Sequence, residues 1–380
     1  MTDFSETRKQ LAVMTGQLGL SQGVQVYVSH AGMPVLDLAV GENGLGAPMR
    51  PDAVLALYCS TKPLLALVAV MLAEQGRLDL DACVGEVLAC PSPEVAQTGL
   101  RELLSHTAGL TQVQGVLANF IPAEQCLQVA TSTPPPSQWR AGDAAYSEWQ
   151  SWTLLAATVE AAGGTDCETL LQRSIIDPFA LSDDLFPRMT DQQFTAYYDR
   201  LGVNVDLRGT TPVPMLMERT RRICTQPNYA FGSYGTARGL GRFYEALLTV
   251  RAGGRRGAIT PAVLQRCINP ARPRQYDHVL ERECRFGLGF MTGLTDHDFG
   301  THCAAGSWGH AGNAGMSFGF ADDDHQLAVG LVWNGLTDTD TSLKYRRRLV
   351  VDAIYRDLGL AESTQSGDST RTAAAHTSST

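Results

Sequence analysis

The chain has 380 residues, 44% of them apolar, enough for one large or two ordinary domains with a substantial core, which excludes a disordered chain. Thirty Lys and Arg against 39 Asp and Glu leave a net charge of −9, and this mildly acidic balance argues against nucleic acid as the main partner. The longest unbroken apolar run, Leu64 to Ala73, falls well short of the roughly 20 residues that span a bilayer, and the opening MTDFSETRKQ leads into no apolar stretch with a cleavage site. No membrane segment and no signal peptide are therefore expected, and the cytoplasm is the expected compartment.

An amphipathic opening runs from Thr7 to Leu18. Gly23-Val-Gln-Val-Tyr-Val-Ser and Val35-Leu-Asp-Leu-Ala-Val then alternate around the turn His30 to Pro34, the pattern of a β-hairpin. Length and composition predict a helix over Leu57 to Gln75, ending at Gly76, and further helices over Leu100 to Ser105, Ala123 to Thr131 and Glu148 to Ala162. Thr133-Pro-Pro-Pro-Ser137 is a stiff connector. Short β-like runs return at Phe286 to Thr292, Gly315 to Ala321 and Leu327 to Trp333, the last two joined by Asp322 to Gln326, which reads as a solvated turn. A closing helix is expected over Thr341 to Leu358, with Arg346-Arg-Arg348 on an exposed face.

Strands at both ends with helices between them predict an α+β fold, an antiparallel sheet flanked by helices and carrying an inserted helical lobe. Residues 1–57 and 205–360 are expected to form the sheet lobe and 58–204 the helical lobe, with a disordered Ser/Thr/Ala-rich tail at 361–380. A cleft between the lobes is the expected site.

Nine cysteines are scattered singly, with no C-x-x-C pair, which suits free thiols and leaves no sign of a structural metal or of a cofactor. Only three lysines occur, Lys9, Lys62 and Lys344, so a lysine among so many arginines invites the question of what arginine lacks. The sharpest local feature is Tyr58-Cys59-Ser60-Thr61-Lys62-Pro63, at the start of the apolar helix. Residues three apart share a helix face, so Cys59 and Lys62 can meet, whereas Ser60 points elsewhere. Pro63 fits the first helical turn, where an amide has no intrahelical acceptor. The helix dipole and the lysine both favour a thiolate at Cys59, and a desolvated lysine, unlike arginine, can also give up its proton.

These motifs resemble the superfamily of serine β-lactamases, penicillin-binding proteins and family VIII esterases, whose S-x-x-K opens a long helix; here Cys59 stands where the serine is usual. Leu103-Leu-Ser-His-Thr-Ala-Gly-Leu110 resembles its L-L-x-H-T-S-G-L, Gly142 to Ser147 its G-x-x-x-x-Y-S, and Trp308-Gly-His310-Ala311-Gly312 its K-T-G or H-x-G, with Phe286-Gly-Leu-Gly289 between them. The resemblance covers Val24 to Leu358. It implies that Cys59, Lys62 and Tyr146 are catalytic, that the Cys59 and Asn313 amides form the oxyanion hole, and that His310, Ala311, Gly312 and Trp308 bind substrate, with Trp308 as a pocket wall. Where relatives have Asn two residues after the tyrosine, Glu148 stands here. His310 replaces a lysine that helps hold the carboxylate of β-lactams, and a histidine mostly neutral near pH 7 makes penicillin-like anions poorer candidates. His106 is expected to make a structural hydrogen bond at a helix end.

A thiolate is usually a better leaving group than an amine, which makes amides difficult substrates for Cys59, whereas exchange from a thioester or activated ester is nearly balanced. The expected reaction is acyl transfer through an acyl-Cys59 intermediate to an amine or hydroxyl acceptor, among small-molecule substrates, with an acyl-carrier protein or coenzyme A thioester as candidate donors. A Cys-dependent esterase or thioesterase would share every motif. A non-catalytic binding protein on the same scaffold would also explain the lost serine.

Overall fold

The computed structural model describes residues 2–113, 119–140, 142–338, 340 and 342–361. Helix α1 (Ser5–Ala12) leads into the hairpin β1 (Gly23–His30) and β2 (Met33–Gly41). Helices α2 (Lys62–Glu74), α3 (Leu100–Ser105), α4 (Ala123–Ser132), α5 (Gln150–Gly163) and α6 (Ala237–Arg251) follow. The chain then returns to the sheet through β3 (Arg272–Asp277), β4 (Arg282–Phe286), β5 (Met291–Thr292), β6 (Trp308–Ala311), β7 (Ser317–Asp322) and β8 (Leu327–Trp333), and closes in α7 (Val350–Asp357). The eight strands form one antiparallel sheet in the order β2-β1-β8-β7-β6-β5-β4-β3. The fold is thus the α+β architecture expected, a β-lactamase/transpeptidase-like antiparallel sheet flanked by helices.

Strand β8 shows why the sheet is covered on both sides. Its Leu327, Val329, Leu331 and Trp333 share a core with Leu11 of α1 and Ile354 of α7, while Ala328 and Val332 join the core of α2 and α6. Gly330 lets α6 approach, because a Cβ there would lie 2.5 Å from the Gly241 amide. Helix α2 is apolar all round and buried along its length to Leu72, as a helix through the middle of a core must be. The backbone amides of Glu6 and Thr7 donate to Asp357, tying α1 to α7.

Several expectations are corrected. Phe286 to Thr292 is not one strand: β4 and β5 are split by Gly287 to Phe290, and Gly289, at φ +75°, turns the chain so that its amide reaches the Leu104 carbonyl. The closing helix divides into a π-wound segment, Ser342–Leu349, and α7, while Thr341 and residues 362–380 of the expected tail lie outside the described residues. Arg346 and Arg347 are buried instead of exposed, because Arg346 donates to the Gly335 and Leu20 carbonyls and Arg347 lies over the Phe299 ring. Asp322 is buried too, accepting hydrogen bonds from the Tyr355 hydroxyl, His325 Nδ1 and the Ala304 amide. Among the described residues no helix is long and apolar enough to cross a membrane.

Candidate active site

Tyr58–Thr61 forms a 3₁₀ turn that delivers the chain into α2. Tyr58 stands at φ +49°, a left-handed conformation costly for a non-glycine residue. Its hydroxyl donates to the buried Glu218 carboxylate, and Asn204 Nδ2 donates to both, at 3.1 Å to the Tyr58 oxygen and 2.9 Å to Glu218. Burial raises the pKa of Glu218 despite these donors. This clamp holds the strained residue immediately before Cys59.

Cys59 is half-buried and lines a cavity of about 350 Å³. Ser60 faces away from that cavity: it is fully buried, donates to the Leu57 carbonyl at 2.8 Å and meets the Ser317 hydroxyl at 3.0 Å. The local geometry therefore separates the two candidate hydroxyl and thiol groups as the helical spacing anticipates.

Lys62, one turn after Cys59, is completely buried and does not itself line the cavity. Its Nζ donates to the Glu148 carbonyl at 2.9 Å and the Ala230 carbonyl at 2.6 Å, and sits 5.5 Å from the ring centre of Tyr146 and 5.3 Å from that of Trp152. Burial lowers its pKa, opposed by the charge and hydrogen bond of Cys59. Tyr146 lines the cavity, and its pKa is pushed well above the ordinary phenol value by burial, then by Cys59. Cys59 is thus the shared neighbour of an amine biased toward its neutral form and a phenol biased toward its protonated form.

The segment carrying Tyr146 is fixed by His106, expected to make a structural hydrogen bond, and by the Arg272–Asp277 pair, which the sequence did not reveal. His106 caps α3 at φ +59°, accepts the Ala145 amide on its carbonyl and the Ser147 amide on Nδ1, and stacks on the Tyr146 ring at 4.1 Å between centroids. Because Nδ1 accepts, the ring proton belongs on Nε2, and burial keeps the histidine neutral. The Tyr146 amide donates to Asp277, which pairs with Arg272 at 2.8 Å in a fully buried ion pair.

On the opposite wall, β6 runs into Gly312, and a Cβ there would lie 2.6 Å from the Leu57 carbonyl. Only glycine lets the strand end come this close to the Cys59 turn. Ala311, Gly312 and Asn313 all line the cavity, and among the described residues neither the Cys59 amide nor the Asn313 amide donates to a backbone carbonyl. His310 and Trp308 do not line it. Strand alternation turns both to the other face. His310 is buried with Nδ1 at 3.0 Å from the Ala311 carbonyl, and burial and then Lys62 lower its pKa. Trp308 packs against Tyr244 and Phe290 in the core, so the pocket-wall expectation is corrected.

Arg282, His297 and Arg347 also line the cavity. Nothing in the motif reading reached them. The signal for Arg347 was the run Arg346-Arg-Arg348, whose surface assignment held only for Arg348.

Comparison with known proteins agrees with this architecture. The Beta-lactamase family model matches residues 16–353. Esterase EstB of Burkholderia gladioli is 25% identical over 310 residues, covering 72% of this chain and 74% of that one. ML-236A carboxylate methylbutanoyltransferase mlcH of Penicillium citrinum is 27% identical over 184 residues, covering 38% of this chain and 42% of its own. A penicillin-binding protein homologue from Caulobacter crescentus superposes with a TM-score of 0.75 at 22% identity, covering 93% of this chain and 97% of that one. The chain belongs to the beta-lactamase family and is an enzyme, an acyltransferase or hydrolase on that fold.

Proposed function

We propose that the protein transfers an acyl group through a thioester on Cys59, from a thioester or activated ester donor to an amine or hydroxyl acceptor. The observation that supports this most is the pairing of Cys59, at the cavity surface, with Lys62 and Tyr146, while Ser60 is occupied by Leu57 and Ser317. Lys62, with two hydrogens engaged by carbonyls, takes the thiol proton as its neutral amine. The thiolate attacks the donor carbonyl, the amides of Cys59 and Asn313 receive the developing oxyanion, and the donor thiol or alcohol leaves with a proton relayed through Tyr146. The acceptor then attacks the thioester, surrendering its proton along the same path and releasing Cys59. Acyl-carrier or coenzyme A thioesters are suitable donors. Hydrolysis, with water as acceptor, is the second reading, favoured by the similarity to an esterase.

Intact-protein mass spectrometry after incubation with a panel of acyl thioesters tests the covalent step, and product analysis with and without an amine acceptor separates transfer from hydrolysis. A mass increase mapping to Cys59 is expected. Cys59→Ser should keep the fold, acylate slowly and shift products toward hydrolysis, because an oxygen ester is less reactive to amines than a thioester. A serine variant as fast and as amine-selective as the parent would refute the thioester rationale.

A further inference from the structure

Arg347 is 4% exposed and lines the same cavity as Cys59. Its neighbour in sequence, Arg346, spends its guanidinium on the Gly335 and Leu20 carbonyls and the Thr337 hydroxyl, an entirely structural use. Arg347 has no such partners. Among the described residues it makes no hydrogen bond and no ion pair, its Nε is buried without an acceptor, and its guanidinium lies 4.8 Å from the centre of the Phe299 ring. The nearby carboxylate, Asp298, is engaged by Arg282. Two guanidiniums therefore share one protein carboxylate at the wall of the cavity. Burial and then the Arg282 charge lower the pKa of Arg347 to about 9, which still leaves it cationic at neutral pH.

A buried cation that makes no hydrogen bond and must share its nearest carboxylate with a second guanidinium is costly, and a fold that retains one gains from it when an anion arrives. The carboxylates of Glu281 and Asp340 also line the cavity, but both are exposed, and Glu148 has a partner of its own. Arg347 is the deep charge. We propose that Arg347, assisted by Arg282, forms an anion subsite in the Cys59 cavity and that one reacting partner, the acyl donor or the acceptor, carries a carboxylate held there. The assignment of that carboxylate to donor or acceptor rests on the acyl-transfer reading; the subsite does not. Positive charge absent from the third motif, where His310 is neutral, is supplied instead by the π-wound segment before α7.

The test compares alkylation of Cys59 in the full chain by iodoacetate, an anion, and iodoacetamide, its neutral counterpart, read by peptide mapping. The iodoacetate-to-iodoacetamide rate ratio at Cys59 should exceed that of Cys83 by at least about tenfold and fall toward it in Arg347→Gln, with Arg347→Lys between. A ratio equal to that of Cys83, unchanged by the substitution, overturns the proposal. Should the variant fail to fold, succinate protection of the parent decides: succinate slowing Cys59 labelling more than succinamide supports the subsite, and equal effects overturn it. Should Cys59 resist both reagents, the thiol-nucleophile reading fails by itself. The subsite then stands or falls on whether succinate raises the melting temperature of the parent more than succinamide does. Donor and acceptor are separated by comparing the succinyl thioester with the thioester of succinic acid monomethyl ester, whose distal carboxylate is capped, in the acylation step, and glycine with glycinamide in the transfer step. A carboxylate preference abolished by Arg347→Gln in one of the two steps locates it, and no preference in either overturns the substrate assignment.

Discussion

Lys62 carries the most quantitative expectation. Its Nζ donates at 2.9 Å and 2.6 Å to two backbone carbonyls. A neutral amine has two hydrogens, so both are used and its lone pair is left for the proton of Cys59. Burial favours that neutral form. Lys62→Arg fixes a positive charge there and cannot deprotonate, and loss of a general base costs roughly two to four orders of magnitude in acylation rate, about 3 to 5 kcal/mol of barrier. Lys62→Met removes the amine and leaves the Glu148 and Ala230 carbonyls without that donor, at about 1–3 kcal/mol each, so it should lose stability as well as rate. The assay is quenched-flow acylation by a thioester followed by intact mass, with urea unfolding in parallel. For the parent, the rate should rise with pH through the lowered lysine pKa, and this limb should be missing in Lys62→Arg. A Lys62→Arg enzyme that acylated near the parent rate with the same pH profile would refute the base assignment.

Tyr146→Phe removes the phenol while keeping the ring stacked on His106, and acylation slowed by roughly a hundredfold with unchanged unfolding is the expected result. Gly312→Ala would set its Cβ 2.6 Å from the Leu57 carbonyl, so the wall bearing Asn313 must shift. A loss in kcat larger than any change in KM would show this, and parent-like kinetics would exclude a role for that close approach. Buried His106, His297 and His310 all have lowered pKa values, that of His297 about 3, with desolvation as the leading cause. The unfolded chain therefore binds more protons than the folded chain below about pH 6.5, and stability should fall as pH drops, each histidine adding up to about 1.4 kcal/mol per pH unit. Urea midpoints from pH 7.5 to 5 measure the slope, which His297→Gln should reduce.

Much of the fold was legible because its elements obey local rules. The hairpin of β1 and β2 alternates, α3 begins and ends where composition says, and β8 was read with its observed limits. Strand β3, Arg-Pro-Arg-Gln-Tyr-Asp, was invisible because its residues are polar and only Arg272 and Asp277 are buried, as a pair formed through tertiary contact. The split of β4 and β5 follows from a carbonyl on α3 that no local pattern reveals. Within the site, Cys59, Lys62 and Tyr146 came from spacing and motif, but Trp308 was misread because one residue of strand phase decides between cavity and core. Arg347 was misread for a related reason. A run of three arginines reads as solvated until tertiary contacts distant in sequence, Leu20 for Arg346 and Phe299 for Arg347, bury two of them.

The half-exposed setting of Cys59 bears on why a thiol suits this site. On the proposed mechanism an acyl group held there would face water, for the cavity at its side is lined by polar groups as well as by Val279, Leu280 and Met291. Discrimination between water and an amine acceptor then has to come from the acyl bond itself rather than from exclusion of solvent. A thioester provides it, since its carbonyl favours amine attack over hydrolysis more than an oxygen ester does. A charged acceptor or donor seated on Arg347 would add proximity to that intrinsic preference, converting a competition with bulk water into an attack within one cavity.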